Sequence, residues 1–127
     1  MPLHLGGRLG AALAHLARTE AEKPRVDLLA LGAREAVEHI RNGDITAESY
    51  VAQLLAQYDA HRDLNVATAI EPAGVLEAAR AVDRARARGA RIGPAAGLPF
   101  AVKDQIAVAG LPATGGTGAL KAYVPKR

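Results

Sequence analysis

Lys103 and Asp104 stand at the centre of an apolar run, "GLPFAVKDQIAVAGLP", from Gly97 to Pro112. An ammonium placed in a hydrophobic strand carries a desolvation cost of several kcal/mol unless it is paired or neutralised. In an extended chain the side chains alternate, so Ala101 and Lys103 point one way while Phe100, Val102 and Asp104 point the other. Small Ala101 leaves room beside the lysine. A desolvated lysine favours the neutral amine, which makes it a general base. The plainer reading is that Lys103 snorkels into solvent or pairs with a distant carboxylate. Asp104, on the opposite face, is expected to accept backbone amides of the glycine turn that follows it.

Other residues that could do chemistry are sparse. The loop "GLPATGGT" places Gly110, Gly115 and Thr117 near the spacing of a phosphate-binding loop, but Gly116 stands where that motif needs its lysine, and nucleotide binding is rejected. The single serine, Ser49, falls in the first turn of a predicted helix with no base near it in sequence, which predicts a capping role. Without cysteine there are no disulfides and no Cys-ligated zinc, a composition compatible with a reducing compartment. Glu35 and His39 share a helix face at i, i+4, but a pair with no third ligand reads as a surface contact, so neither a metal nor a cofactor is expected.

The elements that must position Lys103 follow from periodicity. Leu29, Ala33, Val37 and Ile40 lie on one helical stripe and predict a helix over Leu28 to Asn42, stopped by Gly43. Thr46 is a suitable N-cap for a second helix whose apolar face is Val51, Leu54, Leu55 and Tyr58, antiparallel to the first across a short connection. "LNVATAI" alternates weakly and reads as a short strand or extended link. Pro72 opens a third helix with Val75, Leu76, Ala79 and Val82 inward, closed by Gly89. "PFAVKDQIAV" is apolar on both faces, the pattern of an inner strand of an α/β sheet. A glycine-rich loop and a short helical start at "GALKAYVP" follow. Residues 1–27 read as an N-terminal arm.

A chain of 127 residues, 50% hydrophobic, suits one domain, but four aromatic residues and much alanine allow only a thin core. The net charge of +3 permits an acidic partner without demanding one. The basic stretch "ARAVDRARARGAR" puts Arg80, Arg84 and Arg88 on one helical face, interrupted by Asp83. Lacking interleaved aromatics it reads as a solvated face, and no nucleic acid is expected. No run reaches the roughly 18 to 20 apolar residues that cross a bilayer, and "LHLGGRLGAALAHLA" is a poor signal peptide, so a soluble, cytoplasmic protein is expected.

The segment "GPAAGLPFAVKDQIAVAGLPATGGTGAL" resembles the part of the amidase signature family that introduces its catalytic lysine. The resemblance rests on Gly93-Pro94, Gly97-x-Pro99, a strand ending in Val102-Lys103-Asp104, then Val108 to Pro112 and a Thr-Gly-Thr-like turn. "IRNGDITAESYVAQLLAQYDAHRDLNVATAI" and "VLEAARAVD" are similar to the family's N-terminal helices. The likeness runs from about Leu28 to Pro125 and leans towards the bacterial indoleacetamide and mandelamide hydrolases. Gly115, Gly118 and Gln105 depart from residues common in the family, at the loop and not at the lysine.

The resemblance implies hydrolysis of a carboxamide by a Ser, cis-Ser, Lys triad, in which a neutral lysine draws a proton through a bridging serine and a second serine attacks the carbonyl. Lys103 is the one triad member that maps onto this sequence. The serine pair is expected beyond Arg127, so residues 28–127 are read as the N-terminal portion of an amidase domain: helices plus the first strands of a mixed sheet, inactive alone. The intact enzyme would take a small-molecule amide, with a homo-oligomer as one possible state. Two alternatives are a non-catalytic helical interaction module and an amidotransferase-type subunit that uses ammonia on acylated tRNA. For the fragment alone, helices are expected to about Gly89, followed by a loosely held, aggregation-prone tail from Ile92 with Lys103 exposed.

Overall fold

The computed structural model describes residues 26–126, so the arm expected over 1–27 lies, except for its last two residues, outside them. Three helices carry the fold: α1 (Ala33–Asn42), α2 (Ala47–Ala60) and α3 (Pro72–Ala87), with 3-10 turns at Arg62–Leu64 and Gly118–Leu120.

α1 starts five residues later than its hydrophobic stripe suggests. The Asp27 carboxylate accepts the Leu29 amide at 3.2 Å and Ala30 N–H bonds the Asp27 carbonyl, folding the preceding residues into a turn. Gly32 then takes the N-cap position, and Glu35 reaches back to accept its amide at 2.9 Å. Leu29 therefore falls outside the helix and is exposed, and Ala36 joins Val37 and Ile40 on the buried face in place of Ala33. At the other end Gly43 is left-handed (φ 79°), its amide and that of Asp44 capping the carbonyls of Ile40 and His39. The Arg86 guanidinium occupies the space a side chain at position 43 would need.

Thr46 caps α2 as its type predicts, accepting Ser49 N–H at 3.0 Å. A second acceptor comes from α3, where Asp83 Oδ1 takes the Ala47 amide at 2.9 Å and Oδ2 the Glu48 amide at 3.0 Å. A carboxylate aimed at a helix N-terminus satisfies orphan amides and meets the favourable end of the helix dipole. Asp83 thus joins two helices rather than merely interrupting a basic run. Asp83→Ala is expected to destabilise the fold by about 1–3 kcal/mol, the usual result of leaving partly buried donors unpaired. Asp83→Asn, which keeps one acceptor, should cost less. Urea unfolding measures both, and an alanine variant as stable as the parent would show that the cap contributes nothing.

The core gathers Ala36 and Ile40 of α1, Ala47, Tyr50 and Val51 of α2, and Ala79 of α3, with Leu54, Leu55, Val75, Leu76 and Val82 packed around them. Across the outer face Arg80 pairs with Glu48 at 2.8 Å and Arg84 with Glu77 at 2.7 Å, as expected of a solvated helix face. "LNVATAI" is no strand: a 3-10 turn ends at Leu64, and Val66 is 71% exposed. α3 opens at Pro72 and ends with Gly89 (φ 67°) bonding the Arg86 carbonyl, as its punctuation predicts.

Beyond α3 the chain returns to the helices. Arg41 donates to the Gly93 carbonyl at 3.0 Å. Gly97, at φ +85°, approaches so closely that a Cβ there would lie 2.9 Å from Ala47 Cβ and 3.0 Å from Ile40 Cδ1. Leu98 packs onto the core beside it. Among the described residues no strand forms. The tail is nonetheless tied to itself rather than loose throughout. Gly110 N–H bonds the Pro125 carbonyl at 2.9 Å and Ala113 N–H that of Tyr123 at 3.1 Å, bringing residues 123–125 back antiparallel to 110–113.

Candidate functional site

Lys103 lies in the extended, exposed stretch that leaves the helical seat at Gly97 and Leu98. Its flanking apolar residues face water too: Phe100 is 70% exposed and Val102 48%. Both sides of the stretch are apolar, as alternation implies, and neither is covered by the described residues. The Lys103 ammonium has no hydrogen-bond or ion-pair partner among them, so it projects freely.

Asp104 does what its position suggests. Its Oδ1 accepts the Thr114 amide at 2.8 Å, while Oδ2 accepts the Thr114 hydroxyl and, at 3.4 Å, the Gly116 amide. Gly115 and Gly116 hold positive φ, which lets their amides turn toward the acidic residue. Gly115 N–H also reaches the Asp104 carbonyl at 3.4 Å, and Ile106 N–H the Lys103 carbonyl at 2.8 Å. The loop that looks like a phosphate cradle is therefore filled from within by a carboxylate.

The Thr114 hydroxyl first, and the Thr114 amide next, hold the Asp104 carboxyl below its ordinary range. A carboxyl lowered in the folded state contributes stability that is full above its unfolded pKa, about 3.9, and is lost as pH falls through the lower folded value. The loop bonds should therefore survive mild acid and open only below that range. Carbon-detected NMR titration of Asp104 checks this: its midpoint should lie lower in the folded chain than in urea, and equal midpoints would show the bonds to be absent in solution.

Other candidates separate. The Ser49 hydroxyl donates to the Thr46 carbonyl at 2.9 Å, a local capping bond, and is not joined to Lys103. Glu35 and His39 do not meet, because Glu35 turns to Gly32 and His39 Nδ1 pairs with Asp44 at 3.0 Å. Among the described residues no group of three metal-ligating side chains gathers, and no helix is long and apolar enough to cross a membrane. Thr114 and Asp83 are the residues that sequence reasoning missed. Thr114 could have been found from the glycine pair that follows it; Asp83 had no local signal.

Comparison with known proteins points to one family. A family model described as Amidase matches residues 49–127. A glutamyl-tRNA(Gln) amidotransferase subunit from Streptomyces avermitilis is 35% identical over 101 residues, covering 79% of this chain and 20% of that protein. The subunit of the same name from Rhodopirellula baltica is 35% identical over 94 residues, 73% of this chain and 19% of its own length. That from Acidothermus cellulolyticus is 45% identical over 56 residues, 44% of this chain and 11% of its own. The chain spans about a fifth of the length of the first two. No solved structure matches it. The family match takes in more than half of the chain and the whole segment around Lys103, and on it the chain belongs to the amidase family.

Proposed function

We propose that this chain is the lysine-bearing portion of an enzyme that cleaves a carboxamide C–N bond, with Lys103 as the base and the serines supplied by residues outside these 127. The observation that supports it is the placing of Lys103 between two fixed points, the Gly97 seat and the Asp104 loop, inside the segment matched to the amidase family. In the proposed step the neutral amine takes a proton through one serine, a second serine oxygen bonds to the carbonyl carbon, and the proton passes to the departing nitrogen as the C–N bond breaks. A general base meets its substrate out of bulk water, so the role requires that Lys103 be covered. Phe100 and Val102, apolar and exposed on the same stretch, support its burial as an inner strand of an α/β sheet once its neighbours are present.

The names of the relatives favour a second form of the same chemistry, in which the amide nitrogen is passed as ammonia to an acylated tRNA and the chain works beside other subunits. The isolated chain should release no ammonia from a primary carboxamide above buffer. A chimera in which the matched segment replaces its counterpart in the Streptomyces avermitilis protein should release it. A chimera that folds and assembles yet stays inactive would favour a non-catalytic interaction module instead.

A further inference from the structure

We propose that Asp104 and Thr114 act together as positioning residues for Lys103, a role that rests on reading Lys103 as the base. Between the Gly97 seat and Lys103 lies a stretch of mostly exposed residues that by itself defines the lysine loosely. On the other side the definition is tight. The Lys103 carbonyl accepts Ile106 N–H at 2.8 Å, the Asp104 carbonyl accepts Gly115 N–H at 3.4 Å, and both Asp104 carboxylate oxygens are held by Thr114.

Thr114 is the centre of this clasp. Its amide and its hydroxyl donate to different oxygens of one carboxylate, a two-point attachment that fixes orientation as well as distance. The same hydroxyl oxygen accepts the Gly116 amide at 3.1 Å, which directs its proton toward Asp104. Valine has the shape of threonine and makes neither hydroxyl bond; serine makes both. The peptide joining residues 103 and 104 is thereby referenced to the glycine loop, and the direction in which the lysine leaves the backbone is set from there.

Two measurements test this. In the chain itself, Thr114→Val and Asp104→Asn should speed amide exchange at Ile106 by about tenfold or more through local opening, while Thr114→Ser stays near the parent. In the active chimera, Thr114→Val should lower kcat by about 10- to 100-fold with little change in KM, the signature of a misplaced reacting group, and Thr114→Ser should restore it. Unchanged exchange at Ile106 overturns the proposal. So does faster exchange with kcat intact in a chimera that Lys103→Ala inactivates, a result that leaves the base reading standing. Turnover that survives Lys103→Ala overturns both.

Discussion

Lys103→Ala in the active chimera is expected to lower kcat by about 10²- to 10⁴-fold, the contribution of a positioned general base. KM should change little, because an amine that only moves a proton in the transition state adds nothing to substrate affinity. The sharper variant is Lys103→Arg. It keeps the positive charge and much of the length, but a guanidinium stays protonated in proteins and cannot accept the proton. Arginine should therefore be as inactive as alanine if the lysine acts as a base, and partly active if it serves as an electrostatic anchor. The rates of ammonia release from the three chimeras decide between these roles. Thermal unfolding of each guards against a trivial loss, since only variants that unfold like the parent chimera count in the comparison.

What can be read from the sequence divides by the range of the interaction. Gly43, Thr46 and Pro72 act within one turn of their own position, and all three do what residue type predicts. Asp104 is legible for a related reason, since a carboxylate ten residues before a Thr-Gly-Gly turn has convergent amides within reach. Asp83 is not legible. The amides it caps are 35 and 36 residues away, and Thr46 already satisfies the local pattern at that helix start. The start of α1 departs from its periodicity because Leu29 fits the helical stripe while Asp27 folds the chain the other way. The stretch from Phe100 to Asp104 shows a different limit. A strand is a relation between two segments, so alternation along one of them states which faces would be buried and leaves pairing to whatever lies alongside.

The site shows the same division. Lys103 stands out by the conflict between its charge and its neighbours, and that conflict is chemical, visible without a fold. Its N-terminal seat depends on residues far apart in the chain, Gly97 against Ile40 and Ala47, whereas Asp104 meets Thr114 within ten residues. The lysine is thus prominent in the sequence and Asp104 is legible beside it, while the seat beneath Gly97 and the part played by Thr114 are not.

Ile40→Ala is expected to destabilise the helical unit by about 2–5 kcal/mol, the range for removing a buried isoleucine to alanine. Ile40 is the largest fully buried side chain among the described residues, and the core around it is otherwise built mostly of alanine and valine, which cannot collapse far into the space it leaves. In a domain whose whole stability is on the order of 5–15 kcal/mol, that loss is a large share. The same side chain forms the floor beneath Gly97, lying with Ala47 where a Cβ would go. Gly97→Ala should therefore cost stability in two ways, through a left-handed backbone unsuited to alanine and through the clash with that floor. Shortening Ile40 removes the clash with its Cδ1 and Cγ2 but leaves the contact with Ala47 and the positive φ. In the Ile40→Ala background, Gly97→Ala should then be less costly by about 0.5 kcal/mol or more, the coupling expected of side chains in contact. Urea unfolding of the two single variants and the double variant measures that coupling directly. Strict additivity would show that the lysine segment is not seated on Ile40, and the fixed point assigned to its N-terminal side would be lost.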